Sequence, residues 1–261
     1  MSAVYAVANQ KGGVGKTTTT INLGAYLALA GKRVLVVDLD PQANTTSGLG
    51  LDKGQVMPSV YEALIGQQSL DRAVLPTSRA GLDIAPSALR LAGAEIELVG
   101  LMAREQRLAK VLQSVAPDYD FVLVDCPPSL GLLTVNALTA ANGILVPIQC
   151  EYLALEALGQ LMNSVQLIRD NLNPGLEILG MLMTMFDART NLSQQVVEEV
   201  RSHYPTLIFK SIIPRSVRMS EAPSYGQSIL DYDAGSKGAL AYRALADEVI
   251  CRSARQQTAA P

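Results

Sequence analysis

Residues 9 to 18 read Asn9-Gln10-Lys11-Gly12-Gly13-Val14-Gly15-Lys16-Thr17-Thr18, between an apolar run, Val4 to Ala8, and a helical pattern carrying Ile21, Leu23, Leu27 and Leu29. Strand, glycine-rich loop and helix in that order are what a phosphate-binding P-loop requires. Gly12, Gly13 and Gly15 let backbone N–H groups turn toward phosphate oxygens, and the helix N-terminus adds its positive dipole end. In this reading Lys16 contacts the β- and γ-phosphates of ATP, the Thr17 hydroxyl ligates Mg2+ directly, and Val14 and Thr18 complete the ATP-binding loop. The general template puts glycine at position 10. Gln10 stands there instead, followed by an additional lysine, Lys11.

Outward from the loop, β-rich apolar runs recur at Val34 to Leu39, Leu82 to Ala85, Phe121 to Asp125, Ile144 to Ile148, Ile178 to Thr184 and Leu207 to Ile213. They alternate with helical patterns at about 17–30, 59–66, 88–115, 131–141, 153–171, 191–203 and 238–253. Runs without polar interruption are strands buried on both faces, and their alternation with helices predicts an α/β fold. Its mainly parallel twisted sheet carries helices on both faces. The whole chain, 1–261, reads as a single domain with a short flexible tail from about residue 254. Two turn-rich stretches, Pro41 to Gly54 and Pro214 to Gly226, are too long for minimal connections. They are expected beside a ligand, which in such sheets binds outside the carboxyl ends of the strands.

Two acidic motifs end strands. Asp38-Leu39-Asp40-Pro41-Gln42 follows a buried run, and alternation along a strand turns Asp38 and Asp40 to the same side. Phe121-Val-Leu-Val-Asp125-Cys126-Pro127-Pro128 is a buried strand ending in an acid, the Walker B pattern, so Asp125 is expected to hold Mg2+ through water.

Composition sets limits on function. Twenty-one Lys+Arg against 24 Asp+Glu give a net charge of -3, which does not announce a nucleic-acid binder. Residues 189–261 are nonetheless mildly basic, with nine basic and seven acidic side chains. Cys126, Cys150 and Cys251 are odd in number and widely spaced, which argues against disulfides and a C-x-x-C metal site and fits a reducing cytoplasm. No positively charged leader and no long apolar stretch occur, so the chain is expected to be cytoplasmic, without stable membrane association. His203 reads as a surface or helix-end residue, and the strand-spaced Met181, Met183 and Met185 as core packing, with the segment's end free to line an adenine pocket.

Lys11-Gly-Gly-Val-Gly-Lys16-Thr-Thr resembles the deviant Walker A signature of the ParA/MinD superfamily, a SIMIBI-like branch of the P-loop NTPases. The similarity is closest to short chromosomal Soj-type ParA proteins and extends over nearly the whole chain. It includes Asp38 to Asn44, Glu151 to Leu158, Phe186 to Leu192 and Ile213 to Ser224. The resemblance implies an ATPase for chromosome or plasmid segregation. In it Lys11 reaches the phosphates of the facing subunit of an ATP-dependent homodimer, much as an arginine finger acts in trans. It makes Asp40 the residue that orients or activates the attacking water, places Asp38 beside the metal's water shell, and sets Pro214 and Ser216 near the adenine. It further implies sequence-independent binding of double-stranded DNA through Arg189 and Arg218, with Arg215, Lys210 and Lys237 as further candidates, hence nucleoid association in the ATP-bound state. The resemblance also implies that a ParB/Spo0J-type partner stimulates hydrolysis and release. The sequence departs from the family at Ser216, where Asn is usual, and at Leu153, where a second aromatic often follows Tyr152. The short N-terminus leaves no room for the helix-turn-helix domain of larger plasmid ParA proteins.

Three other functions share the loop. A MinD-like membrane-associated division-site ATPase needs an amphipathic C-terminal helix, whereas Ile250 to Pro261 has charge and almost no apolar face. A nitrogenase-reductase-like protein needs paired cysteines on a cluster, and Cys126 and Cys150 lack the expected surroundings. An amidoligase needs a substrate pocket that no motif here identifies.

Overall fold

The computed structural model describes residues 2–152 and 154–259, so the departure at Leu153 lies outside the described residues. Seven strands run parallel: β1 (Ala3–Val7), β2 (Val34–Asp38), β4 (Leu82–Ala85), β5 (Phe121–Asp125), β6 (Gly143–Gln149), β7 (Glu177–Phe186) and β8 (Ile208–Pro214). The two-residue β3 (Leu75–Pro76) pairs antiparallel with β4, giving the order β3-β4-β2-β5-β1-β6-β7-β8. β1 therefore sits where the chain winds out in both directions, the place at which such sheets bind ligands.

Helices cover both faces, as the alternating pattern predicts. One core joins the sheet to α3 (Val60–Ile65), α4 (Leu91–Val99), α5 (Arg107–Leu112), α6 (Leu132–Ala140), α7 (Ala154–Asn171) and α8 (Asn191–His203). The other joins it to α1 (Lys16–Leu29) and α11 (Lys237–Ala259), where Ile21, Leu23 and Leu27 meet Tyr242, Leu245 and Val249. All five residues of β1, β2 and β5 are buried, the physical reason these runs contain no interior polar residue.

Three local expectations need correction. The helical pattern at 88–115 is broken: Ala103 takes a left-handed φ of 51°, and Asn136 of α6 accepts from Leu108 N–H and donates to the Arg104 carbonyl, fixing the reversal. The turn-rich stretches contain short helices, α2 (Asn44–Gly48) in the first and α9 (Val217–Glu221) in the second, with α10 (Ile229–Tyr232) just beyond. Residues 254–259 continue α11 where a flexible tail was expected. Arg252 donates to the carbonyls of Leu179, Leu207 and Ile208 and lies over the Phe209 ring, and Gln256 bonds both Tyr5 and Glu177, so the helix end is tied to the sheet.

The two turn-rich stretches touch each other. Gly48 packs on Ile21 and Pro223, and Gly226, at φ 66°, lies so close to Gly50 that an added Cβ would fall 2.6 Å from its Cα. A side chain at 226 meets both a left-handed backbone and a neighbouring main chain. Gly226→Ala should lower stability by roughly 1–3 kcal/mol in urea unfolding, with the slope unchanged. A midpoint equal to the parent's would contradict this packing.

Candidate functional site

The loop between β1 and α1 is built as a phosphate cradle. Gly13 (φ 74°) and Gly15 (φ 91°) take left-handed conformations, and Gly15 starts α1 without a capping side chain, leaving the first-turn N–H groups to face outward. Asn9 braces the loop from below, donating to the Pro147 carbonyl and accepting from Lys11 N–H, while the Thr184 hydroxyl donates to the Val14 carbonyl. Lys16 is buried to 6% exposure, its Nζ 3.3 Å from the Lys11 carbonyl. Burial pushes its ammonium down, and the charges of Asp125 and Asp40 act to hold it up.

The acids converge because of sheet register. Asp38 ends β2 directly opposite Asp125 at the end of β5, and both are fully buried. Asp125 Oδ2 accepts from Thr17 Oγ1 at 2.9 Å and Thr45 Oγ1 at 2.6 Å, while its Oδ1 accepts from Thr20 Oγ1 at 3.3 Å. Asp38 Oδ2 accepts from both the N–H and the hydroxyl of Thr46, and its Oδ1 from Asp40 N–H. Asp40 is 8% exposed, with Oδ1 held by Gln42 N–H at 2.9 Å. Ser87 bonds the Asp40 carbonyl and the Thr46 hydroxyl, closing the loop onto its neighbours.

Burial pushes both strand-end acids up, Asp38 to about 8 with the Asp125 charge adding to it and Asp125 to about 6 with the Asp40 charge adding to it, against the downward pull of their hydroxyl donors. Three carboxyl groups thus share one lysine, and a divalent cation would favour the ionised forms that burial opposes. Among the described residues no group of three His, Cys, Asp or Glu side chains is arranged to hold a metal alone. Mg2+ sites at phosphates use one or two carboxylates together with the substrate's own oxygens. The donor set therefore fits Mg2+ with a nucleotide, through Thr17 and, by way of water, Asp125 and Asp38.

A cavity of about 290 Å³ opens beside the loop, lined by Gly15 and Thr18 on one side and Pro214, Ser216 and Met185 on the other. Its size and mixed lining suit a nucleotide base. Met181 and Met183 are core residues, but Met185 is half-buried at φ 52° and borders this cavity.

Other expected site residues lie apart from the acids. Lys11 Nζ reaches away to Glu151 Oε2 at 2.9 Å, with its side chain 32% exposed on the rim. Arg189, Arg215 and Arg218 are exposed on the surface formed by the loops after β7 and β8. Arg189 pairs with Asp187, and Arg218 with Glu221. Burial pushes the Cys126 and Cys150 thiols up, so both stay protonated. The threonines 20, 45, 46 and 184 and Glu151 were not singled out from sequence. Thr45 and Thr46 stand five and six residues beyond Asp40, and that short spacing in a turn-rich stretch was the one available signal.

The raised carboxyls set a sign for stability against pH. The folded chain holds protons that the unfolded chain releases near pH 4. Their contribution is complete below that value and is lost as pH rises toward about 8. Asp38→Asn keeps the neutral form at all pH and should flatten the fall in nucleotide-free stability over that range. Urea unfolding at several pH values reads the slope, and a slope equal to the parent's would refute the assignment.

Comparison with known proteins places this geometry. A profile described as "AAA domain" matches residues 2–178. The sporulation initiation inhibitor protein Soj of Bacillus subtilis is 53% identical over 249 residues, covering 95% of this chain and 98% of that protein. The chromosome partitioning protein ParA of Caulobacter vibrioides is 48% identical over 259 residues, covering 98% and 97%. Among solved structures, cobyrinic acid a,c-diamide synthase from Mycobacterium smegmatis, with bound ATP analog and magnesium, superposes with a TM-score of 0.86 at 40% identity, covering 97% and 96%. The cell division ATPase MinD of Pyrococcus furiosus gives 0.81 at 26%, covering 96% and 99%. With its deviant P-loop, strand-end acids and near full-length similarity, the chain belongs to the Soj/ParA family of chromosome-partitioning P-loop ATPases.

Proposed function

We propose that this protein is an ATP-switched partition ATPase: its ATP-bound form is a homodimer that binds double-stranded DNA without sequence preference, and a ParB/Spo0J-type partner stimulates the hydrolysis that releases it. The observation that carries the reading is the division of labour between the two loop lysines. Lys16 is buried beside Asp125, whereas Lys11 rests on the rim against Glu151. An exposed ion pair of this kind is worth little, so a phosphate brought by a facing subunit can take Lys11 over.

In this mechanism the loop N–H groups and Lys16 bind the β- and γ-phosphates, and Thr18, Pro214 and Ser216 border the base. Mg2+, held through Thr17 and the acids, offsets phosphate charge when it is bound. Asp40, fixed by Gln42 N–H, orients a water in line with the γ-phosphorus and draws its proton. The new P–O bond forms as the bond to ADP breaks, and Lys11 from the facing subunit stabilises the charge that shifts toward the leaving oxygen. Dimerisation places two sets of Arg189, Arg215 and Arg218 on one duplex, so weak phosphate contacts become an ATP-dependent affinity. A cytoplasmic, nucleoid-associated protein follows from this reading. Among the described residues no helix is long and apolar enough to cross a membrane, and the pinning of Arg252 to the sheet supports this reading over a MinD-like anchor.

ATPase activity measured alone, with DNA, and with DNA plus a ParB-type protein tests the proposal. Stimulation that needs both supports it. Indifference to both would overturn it, and ATP-dependent diamide formation on cobyrinic acid would favour the activity named for the M. smegmatis structure.

Three variants separate the roles. Lys11→Ala should keep ATP binding and lose ATP-dependent dimerisation on size exclusion. Asp40→Ala should bind ATP, remain dimeric and hydrolyse it at least about a hundredfold more slowly. Arg218→Glu should weaken binding to unrelated duplexes alike while sparing ATP binding and dimerisation. A dimeric Lys11→Ala, a monomeric Asp40→Ala or an unaltered DNA affinity would each remove the corresponding assignment.

A further inference from the structure

Two of the surface arginines assigned to DNA, Arg189 and Arg218, are held differently, and one of them is built in more than it needs to be for a solvated charge. Asp187, at the end of β7, accepts three hydrogen bonds from Arg189: from the backbone N–H at 3.0 Å, from Nε at 2.9 Å and from Nη2 at 2.7 Å. The guanidinium is gripped along one edge in the planar two-point manner that carboxylates and phosphates share. Asp187 is itself fixed. Its carbonyl accepts from Thr190 N–H and Oγ1, and its N–H points at Ser193 Oγ, so it belongs to the capped start of α8. Arg215 acts on the same carboxylate, adding to the downward pull on its titration, and Arg215 N–H is tied to the Phe186 carbonyl beside it.

Exposure gives the pair a direction. The Arg189 side chain is 86% exposed and that of Asp187 is 21%. The acid lies on the protein side and the guanidinium outside it, with the Nη1 edge turned from Asp187. Arg218, in contrast, touches Glu221 through one nitrogen at 3.3 Å and Asp233 at 3.9 Å, with no fork.

We propose that Asp187 is a positioning residue for DNA phosphate: it grips the inner edge of Arg189, beside Arg215, and aims the outer edge at the duplex backbone. The inference rests on the DNA-binding reading given above and assigns to that surface a residue of opposite charge. A long side chain on a loop loses rotamer freedom when it captures a phosphate, and Asp187 has already removed much of that freedom. With one acid against two arginines the cluster keeps a net positive charge, so the acid costs some attraction and returns orientation.

The sign of one measurement decides. An acid that merely neighbours the DNA repels it, so its removal would tighten binding. A positioning acid does the reverse. With a non-hydrolysable ATP analogue keeping the protein dimeric, affinity for two duplexes of unrelated sequence is measured by fluorescence anisotropy at fixed low salt. Asp187→Ala is expected to weaken both affinities by about five- to tenfold, the size of one ordinary net hydrogen bond and less than the loss of a charged contact outright. Asp187→Asn, which keeps the acceptor for Arg189 N–H, should fall between Ala and the parent. Arg189→Ala combined with Asp187→Ala should bind no more weakly than Arg189→Ala alone. ATP binding and size-exclusion dimerisation of each variant confirm that the fold is intact, and Asp187→Asn carries the test should the alanine variant misfold.

Tighter or unchanged binding by both Asp187 variants, with Arg189→Ala weakened, overturns the proposal and leaves the DNA surface standing. Unchanged binding by Arg189→Ala takes Arg189 off the DNA surface and removes the proposal with it, and unchanged binding by Arg218→Glu as well removes the DNA surface itself.

Discussion

Two fully buried carboxylates stand side by side at the ends of β2 and β5, and the geometry around them follows from the need to keep them there. Unpaired, either would be driven to protonate, and their adjacency makes that tendency stronger. The structure answers with donors from three parts of the chain. Thr17 and Thr20 come from the first turns of α1, and Thr45 and Thr46 from α2, while backbone N–H groups supply the rest. Lys16 provides a nearby positive charge. Such a cluster is costly as a structural element and useful as a receptor for a cation that carries phosphates.

The donors also link the acids to distant parts of the site. Thr45 and Thr46 belong to a five-residue helix that has little stability of its own. Its position depends on the bonds to Asp125 and Asp38 at one end and on Gly48 and Gly50 against Pro223 and Gly226 at the other. The second of these segments carries Arg218 and borders the base cavity. Acids, base cavity and arginine surface are thus in physical contact through one small element.

Solvent divides the remaining charges into two classes. Lys11 with Glu151 and Arg218 with Glu221 are exposed pairs that water and salt weaken, so they can be exchanged for phosphate at small cost. Lys16 and the strand-end acids are shielded and stay in place. The switch proposed above, which forms and dissolves a dimer on DNA, would use both classes, and the fold holds them at different depths.

The fold class and the loop were legible in the sequence because their signals are local. A glycine loop between strand and helix, apolar runs without interruption and acids at strand ends each specify their own backbone without reference to distant residues. The break at Ala103 and the helical run through residues 254–259 were not legible, because Asn136 in one case and Glu177 with the β7 and β8 carbonyls in the other are tertiary partners. The same holds for the site. The glycine loop proposed to bind phosphate was marked by spacing alone. That Asp38 faces Asp125, that Thr45 donates to the latter, that Lys11 lies on Glu151 and that Asp187 grips Arg189 with Arg215 at its side depended on packing and on strand register. Register is set by which strands become neighbours in the sheet, and neighbours 87 positions apart in sequence leave no local pattern from which that choice could be read.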